Sequence, residues 1–320
     1  MSKPARQPPT FNLPSLPGLP YASLVPQWEK ITVVGVGLLG GSLGLAIKER
    51  RLAYRVAGYV RRPESIAECE QTGAVDKADT DLWRAVEKAD LVILCTPIAQ
   101  MAALTAKMLP ALKRECIVTD VGSVKAGVVA ELEPLVAGAG AHFIGSHPMA
   151  GAEKMGVAAA RSDLFNGAAC AVTPTAHSNL EAVAKLEQFW KALGARPLRI
   201  PPDLHDDLVS RSSHLPHVVA AELANYVLSP VHPKEQGMLC ANGFRDTTRI
   251  AAGSPEMWRD ISLANRKNLA RVLGVFIEDL QEFQLALENQ DVKAIEEFFN
   301  QAKERRDAWW AQAASSPSPE

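Results

Sequence analysis

The chain has 320 residues, room for about two domains, and its 34 Lys and Arg against 36 Asp and Glu leave a net charge of −2. That balance excludes a protein that lives on nucleic-acid phosphates, and a 47% apolar, 22% charged composition excludes disorder for most of the chain. Five cysteines (Cys69, Cys95, Cys116, Cys170 and Cys240) are odd in number and form no C-x-x-C pair. They indicate buried thiols in a reduced, cytoplasmic setting, with neither a disulfide framework nor a zinc site.

Residues 1–27 are proline-rich and aperiodic, a flexible arm outside the fold, and 313–320 are a similar tail. Ile31 to Ile47 is uncharged, but its five glycines and flanking lysines argue against a membrane helix. From residue 28 to 201 short apolar runs alternate with helix-like stretches. Strands are expected at Ile31–Val34, Arg55–Val60, Leu91–Cys95, Cys116–Asp120, His142–Ser146, Ala169–Thr173 and Arg196–Ile200. Helices are expected over Leu43–Arg50, Pro63–Thr72, Met101–Ala111 and Leu180–Leu193. Several strands are apolar throughout, as parallel strands covered on both faces must be. The pattern predicts a Rossmann-type, doubly wound, mainly parallel α/β sheet.

After Pro202 the strand signals end, and 202–312 reads as an all-helical domain. His214–Leu228 is a helix. Ser254 caps a long one that begins at Pro255 and carries an apolar stripe from Met257 to Leu287. A last helix starts near Asp291 and should bury Ile295, Phe298, Ala302 and Trp309. A helix of that length needs a second surface, so this domain is expected to form a homodimer.

Gly35-Val36-Gly37-Leu38-Leu39-Gly40 lies between a strand and a helix, in the G-x-G-x-x-G pattern that binds dinucleotides. Gly35 permits the tight turn, Gly37 admits a pyrophosphate to the backbone, and Gly40 allows close packing of helix on strand. The first helical turn, Leu38 and Leu39, presents unpaired N–H groups to the phosphates. Twenty residues beyond Gly40, where an NAD site places an acid for the ribose hydroxyl, stands Val60, followed by Arg61 and Arg62. Two guanidinium groups suit a 2′-phosphate, so NADP is favoured over NAD. Thr96 and Pro97, at the end of a strand, complete the expected cofactor set.

Further polar segments follow apolar strands: Cys95-Thr96-Pro97, D-V-G-S-V-K at 120–125, S-H-P-M-A-G-A-E at 146–153 and S-H-L-P-H at 213–217. G-F-R-D-T-T-R-I at 243–250 lies in the helical part. In this order and spacing the set resembles the prephenate/arogenate dehydrogenase family of tyrosine biosynthesis, over roughly residues 31–310. The resemblance implies oxidative decarboxylation of a cyclohexadienol. Hydride leaves C4 for a nicotinamide, the C4 hydroxyl loses its proton, and the ring carboxylate departs as CO2 while the ring becomes aromatic. Prephenate would give 4-hydroxyphenylpyruvate, and arogenate would give tyrosine.

The residues suit that chemistry. His147, at a strand end, can accept a hydroxyl proton near neutral pH, and the resemblance makes it the catalytic histidine, with Ser123 bridging it to the substrate. Arg249 is the candidate for a substrate carboxylate. The resemblance also implies His217 against substrate, His214 in support, and Glu153 as a gate to the pocket. Arg245 and Asp246 are expected to pair near the substrate, and Trp258 to cover it or to belong to the core. His214 and His217 lack the acidic or thiol partners of a metal site, so no metal is expected. The chain ends soon after the last helix, and any inhibition by tyrosine is expected at or near the active site. Another two-domain NAD(P)-dependent hydroxyacid or imine-type dehydrogenase, or a non-catalytic NADP sensor, would share the glycines without needing the histidine segments. Expected partners are one small-molecule substrate and a second copy of the chain, with neither nucleic acid nor membrane.

Overall fold

Strands apolar on both sides must be covered on both sides, and the computed structural model, which describes residues 26–151, 154–229, 231 and 233–315, shows how. β1 (Trp28–Val34), β2 (Ala53–Tyr59), β3 (Lys77–Asp79), β4 (Leu91–Leu94), β5 (Ile117–Asp120) and β6 (His142–Phe143) form one six-stranded sheet in the order β3-β2-β1-β4-β5-β6. Every pairing in it is parallel. In β4, Leu91 and Ile93 enter the core on one face while Val92 and Leu94 enter the core on the other. The intervening helices are α1 (Leu38–Glu49), α2 (Glu64–Gln71), α3 (Leu82–Val86), α4 (Ile98–Met108) and α5 (Ala126–Gly138). Strand order reverses between β1 and β4, the place where an open α/β sheet offers a crevice to a ligand.

One expected strand divides in two. Instead of a single run over 142–146, the chain leaves the parallel sheet after β6 and begins β7 (Gly145–Pro148). β7 pairs antiparallel with β8 (Ala169–Thr173), which pairs parallel with β9 (Arg196–Arg199), so these three make a separate small sheet. Gly145 makes the crossing possible, because a Cβ there would lie 2.5 Å from Thr173 Oγ1. Ser146 ties the two sheets together: its hydroxyl donates to the Asp120 carbonyl (2.7 Å) and meets Thr119 Oγ1 (2.8 Å). α6 (Leu180–Ala192), capped by Asn179, buries Leu186, Phe189 and Trp190.

The helical part opens at residue 202, as expected, with a helix that no apolar stripe marks. α7 (Pro202–Val209) continues through a widened π turn at Ser210–His214 into α8 (Leu215–Val227). π turns of this kind recur at functional sites. α9 (Pro233–Leu239), α10 (Asn242–Thr248) and a tight turn at Arg249–Ala252 follow. Ser254 caps α11 (Pro255–Ala264) as its sequence predicts, accepting from Met257 N–H at 3.3 Å. The expected continuous stripe to Leu287 is interrupted at Asn265 (φ −107°, ψ 27°), where α12 (Arg266–Glu288) begins. Asn265 is buried, and its amide donates to the Asp206 carbonyl at 2.8 Å. Phe283 of α12 packs on Phe298 of α13 (Val292–Ser315), with ring centroids 4.5 Å apart. The stripe expected to be buried on α13 is not buried within this chain: Phe298 is 40% and Trp309 58% exposed. Among the described residues no helix is long and apolar enough to cross a membrane.

Candidate active site

The glycine turn opens at the crevice. Gly35 has φ +98°, a backbone conformation that a side chain resists, and a Cβ there would lie 2.9 Å from the Cys95 carbonyl. A Cβ on Gly40 would lie 2.1 Å from the Gly35 carbonyl and 2.8 Å from Val33, so α1 rests directly on β1. Gly37 differs, since apart from its chain neighbours none of the described residues lies within 4 Å of the Cβ it lacks. It precedes α1, and its side offers no cap to the first N–H groups of that helix, Leu38 and Leu39 among them. Thr96, which follows β4 together with Pro97, packs its methyl group toward Gly35 and buries a hydroxyl with no partner among the described residues. An open cradle, uncapped N–H groups and an orphaned hydroxyl fit a dinucleotide pyrophosphate and its neighbouring ring. Arg61 and Arg62 lie just past the end of β2, both exposed and neither in an ion pair among the described residues.

The histidines gather where β7 meets α7 and the π turn. His147 is buried on β7, and its Nδ1 lies 2.9 Å from His205 Nε2. His205 Nδ1 donates to Asp206 Oδ1 at 2.8 Å. The Asp206 carboxylate also accepts from the backbone N–H groups of Lys125 (2.7 Å) and Ala126 (2.9 Å), capping α5 from another domain. Desolvation first, then the neighbouring His205, Lys125 and His214, hold the His147 imidazole well below its ordinary pKa. It is therefore neutral at physiological pH, as a base must be.

His214 is fully buried and lies beside the Ser123 backbone, in the loop that follows β5. Its Nδ1 meets the Asn265 side-chain amide at 3.2 Å, while its Nε2, on the Ser123 side, closes no well-formed hydrogen bond among the described residues. Burial lowers its pKa to about 4 despite the opposing pull of Asp206. His217 donates from Nδ1 to the Ser213 carbonyl (2.8 Å) and stacks on Trp258, ring centroids 3.7 Å apart. Burial, and secondarily the nearby Arg249 charge, lower the pKa of His217. Trp258 thus lines the histidine cluster, and its indole N–H is buried without a partner among the described residues.

Beneath the loop carrying Ser123, Lys125 and Asp120 form an ion pair in which both side chains are 0% exposed. Lys125 Nζ also donates to the Ser146 carbonyl (3.0 Å), and Asp120 accepts from Gly122 N–H (2.8 Å) and Ser146 N–H (3.3 Å). The D-V-G-S-V-K segment is therefore anchored at both ends, with Ser123 between the anchors.

The expected Arg245–Asp246 pair is absent among the described residues. Arg245 Nη2 instead donates to Asn242 Oδ1 at 2.8 Å, one helical turn back on α10, where the geometry is shorter and costs less side-chain order. Glu153 lies outside the described residues. Three site residues had no sequence signal strong enough to name them: His205, Asp206 and Asn265. The first two sit on a helix with inverted polarity, which buries His205 and Asp206 while leaving Leu204 45% and Leu208 46% exposed. Asn265 was hidden inside a stripe that reads as one helix.

Comparison with known proteins agrees with this architecture. The nucleotide-binding domain of the prephenate dehydrogenase family matches residues 43–198, and its dimerization domain matches 201–301. The cyclohexadienyl dehydrogenase of Zymomonas mobilis is 34% identical over 283 residues, covering 87% of this chain and 95% of that protein. Among solved structures, the Aquifex aeolicus prephenate dehydrogenase in complex with hydroxyphenyl propionate and NAD+ superposes with a TM-score of 0.82 at 29% identity. The match covers 88% of this chain and 98% of that one. The Synechocystis arogenate dehydrogenase gives a TM-score of 0.75 at 32% identity, covering 88% and 99%. A nucleotide-binding sheet joined to a helical domain, with a buried neutral histidine where the two meet, places this chain in the prephenate dehydrogenase family of oxidoreductases.

Proposed function

We propose that the chain oxidatively decarboxylates prephenate, arogenate or both, passing hydride to NADP in preference to NAD. The observation that carries this reading is His147: a buried imidazole held in its neutral form, beside the Lys125–Asp120 anchor that supports the Ser123 loop. Neutral imidazole can take the proton of a C4 hydroxyl, and Ser123 would orient that hydroxyl. When bound, the nicotinamide accepts the hydride. Gly35, Gly37, Leu38, Leu39, Gly40, Thr96 and Pro97 would hold the dinucleotide. Arg249 supplies a cation beside His217 and Trp258, suited to a carboxylate of the substrate. His214 supports the site from the Ser123 side. Arg245 and Asp246, both exposed on α10, would approach substrate only from the rim. Glu153 is proposed as a gate from its sequence position alone.

The preference for NADP is supported by Arg61 and Arg62, exposed just past the end of β2 and in no ion pair among the described residues. A homodimer is supported by the apolar side chains that α12 and α13 leave uncovered, Leu280, Leu287, Phe298 and Trp309 among them. Rates with prephenate and arogenate, each with NAD and NADP, test substrate and cofactor together. Turnover of neither substrate would overturn the proposal, and a preference for NAD would overturn its cofactor half. Sedimentation giving a monomer mass at micromolar concentration would remove the dimer.

A further inference from the structure

The buried polar groups around His147 are connected in a definite direction. Asp206 can only accept at its carboxylate, and it already accepts the N–H groups of Lys125 and Ala126. The short contact to His205 therefore places a proton on His205 Nδ1. The Nε2 of that ring is then its acceptor, and the 2.9 Å contact to His147 needs the proton on His147 Nδ1. His147 Nε2 is left with its lone pair.

A second chain starts at the same residue. The main-chain carbonyl of Asp206 accepts from the Asn265 side-chain amide (2.8 Å), which fixes that nitrogen as donor. Asn265 Oδ1 is engaged by Asn268 Nδ2 (2.9 Å), so the amide cannot be reversed without losing both contacts. The same nitrogen faces His214 Nδ1 at 3.2 Å, which makes that atom an acceptor and puts the His214 proton on Nε2. That Nε2–H is buried and faces the Ser123 backbone, without closing a well-formed hydrogen bond to any of the described residues. A buried donor needs an acceptor, and the Ser123 backbone is the one the fold brings to it.

We infer that Asp206 is a positioning residue that sets opposite tautomers in two active-site histidines, its carboxylate making His147 Nε2 an acceptor and its carbonyl, through Asn265, making His214 Nε2 a donor. The site thus holds one proton-accepting and one proton-donating imidazole, the donor directed at the backbone of the loop that carries Ser123. Proton removal by His147 requires the first tautomer, so this inference rests on His147 acting as the base. The same logic governs other enzymes in which a carboxylate orients a histidine base.

The test is 15N NMR of histidine-labelled full-length enzyme at neutral pH, read alongside turnover. The expected spectrum shows His147 protonated at Nδ1 and His214 protonated at Nε2. Asp206→Leu removes the acceptor that fixes the His205 Nδ1 proton, but leaves the main-chain carbonyl and therefore the second chain intact. It should release His147 to populate the Nε2–H form, leave His214 unchanged, and lower kcat at least about a hundredfold with a smaller change in KM. His205→Gln, which retains an acceptor, should keep more kcat than His205→Leu. Wild-type His147 protonated at Nε2 overturns the inference, and so does Asp206→Leu with unaltered tautomers and kcat. If that variant does not fold, the wild-type spectrum decides alone. Full activity in His147→Gln would remove the base reading instead, and the tautomer measurement is independent of that outcome.

Discussion

Replacing Lys125 with methionine tests whether the D-V-G-S-V-K loop is held by charge. The Lys125–Asp120 pair has no solvent exposure on either side. Burial pulls the lysine below its usual pKa while Asp120 opposes that pull, so the ammonium depends on its carboxylate. Removing one partner of a buried pair costs about 3–5 kcal/mol, because the other charge stays buried and unpaired. The lower end applies here: Asp120 keeps two backbone donors, Gly122 N–H and Ser146 N–H. Methionine fills much of the same volume, so the expected loss in Lys125→Met is about 3 kcal/mol, a large part of the 5–15 kcal/mol that domains typically possess. Asp120→Asn/Lys125→Met removes both charges and should recover at least about 1 kcal/mol of that loss. Urea unfolding with an unchanged m value measures both quantities. Lys125 also disfavours protonation of His147, so without it the acid limb of kcat/KM should move to higher pH. A single variant within about 1 kcal/mol of wild type, or a double variant no better than the single, would refute the reasoning.

Acid should destabilise the fold through its buried histidines. His214 titrates near 6.5 when unfolded but about 4 when folded, so the unfolded state binds the extra proton between those values. Stability is fully present above about pH 6.5 and is lost as pH falls toward 4, by roughly 3 kcal/mol for this residue, with His147 adding in the same direction. Unfolding midpoints measured between pH 7.5 and 4.5 would contradict this if they stayed level. Gly37→Ala should cost under about 1 kcal/mol in stability yet weaken dinucleotide binding, since its Cβ enters only open space. Gly44→Ala would place Cβ 1.8 Å from the Ala74 carbonyl and should lower the melting temperature sharply. Calorimetry and nucleotide titration separate the two variants. Arg61→Ser/Arg62→Ser should raise KM for NADP about tenfold or more while leaving NAD nearly unchanged, the loss of charge-assisted contacts to one phosphate. Equal effects on both nucleotides would assign the arginines to the surface.

The parallel sheet was legible because its physics is one-dimensional. Val33, Val34, Val92 and Ile93 are apolar whichever way they point, and no other setting suits such runs next to a glycine turn. β3 was not legible, being three residues long with only Ala78 buried. Nor was the division of 142–146 between two sheets. It depends on contacts of Gly145 and Ser146 with Thr173 and Asp120, distant in sequence. His147 could be named because it follows a strand within a distinctive motif.

Its supports could not be named, and the reason lies in how a site between domains is built. A helix that only packs shows apolar residues on its buried side, and periodicity finds it. α7 must instead carry a hydrogen-bonded pair into the nucleotide domain, so His205 and Asp206 point inward and leucines point outward. α11 must end where Asn265 can reach two polar groups, so an apolar stripe that continues in sequence stops in space. Both departures sacrifice regular amphipathic packing, and both place their polar atoms around Asp206. That convergence gives the one carboxylate two tasks, capping α5 and orienting His205. Its main chain has a third, holding Asn265. A change at Asp206 should therefore reach catalysis without touching substrate, and motif reading by itself assigns the residue no role.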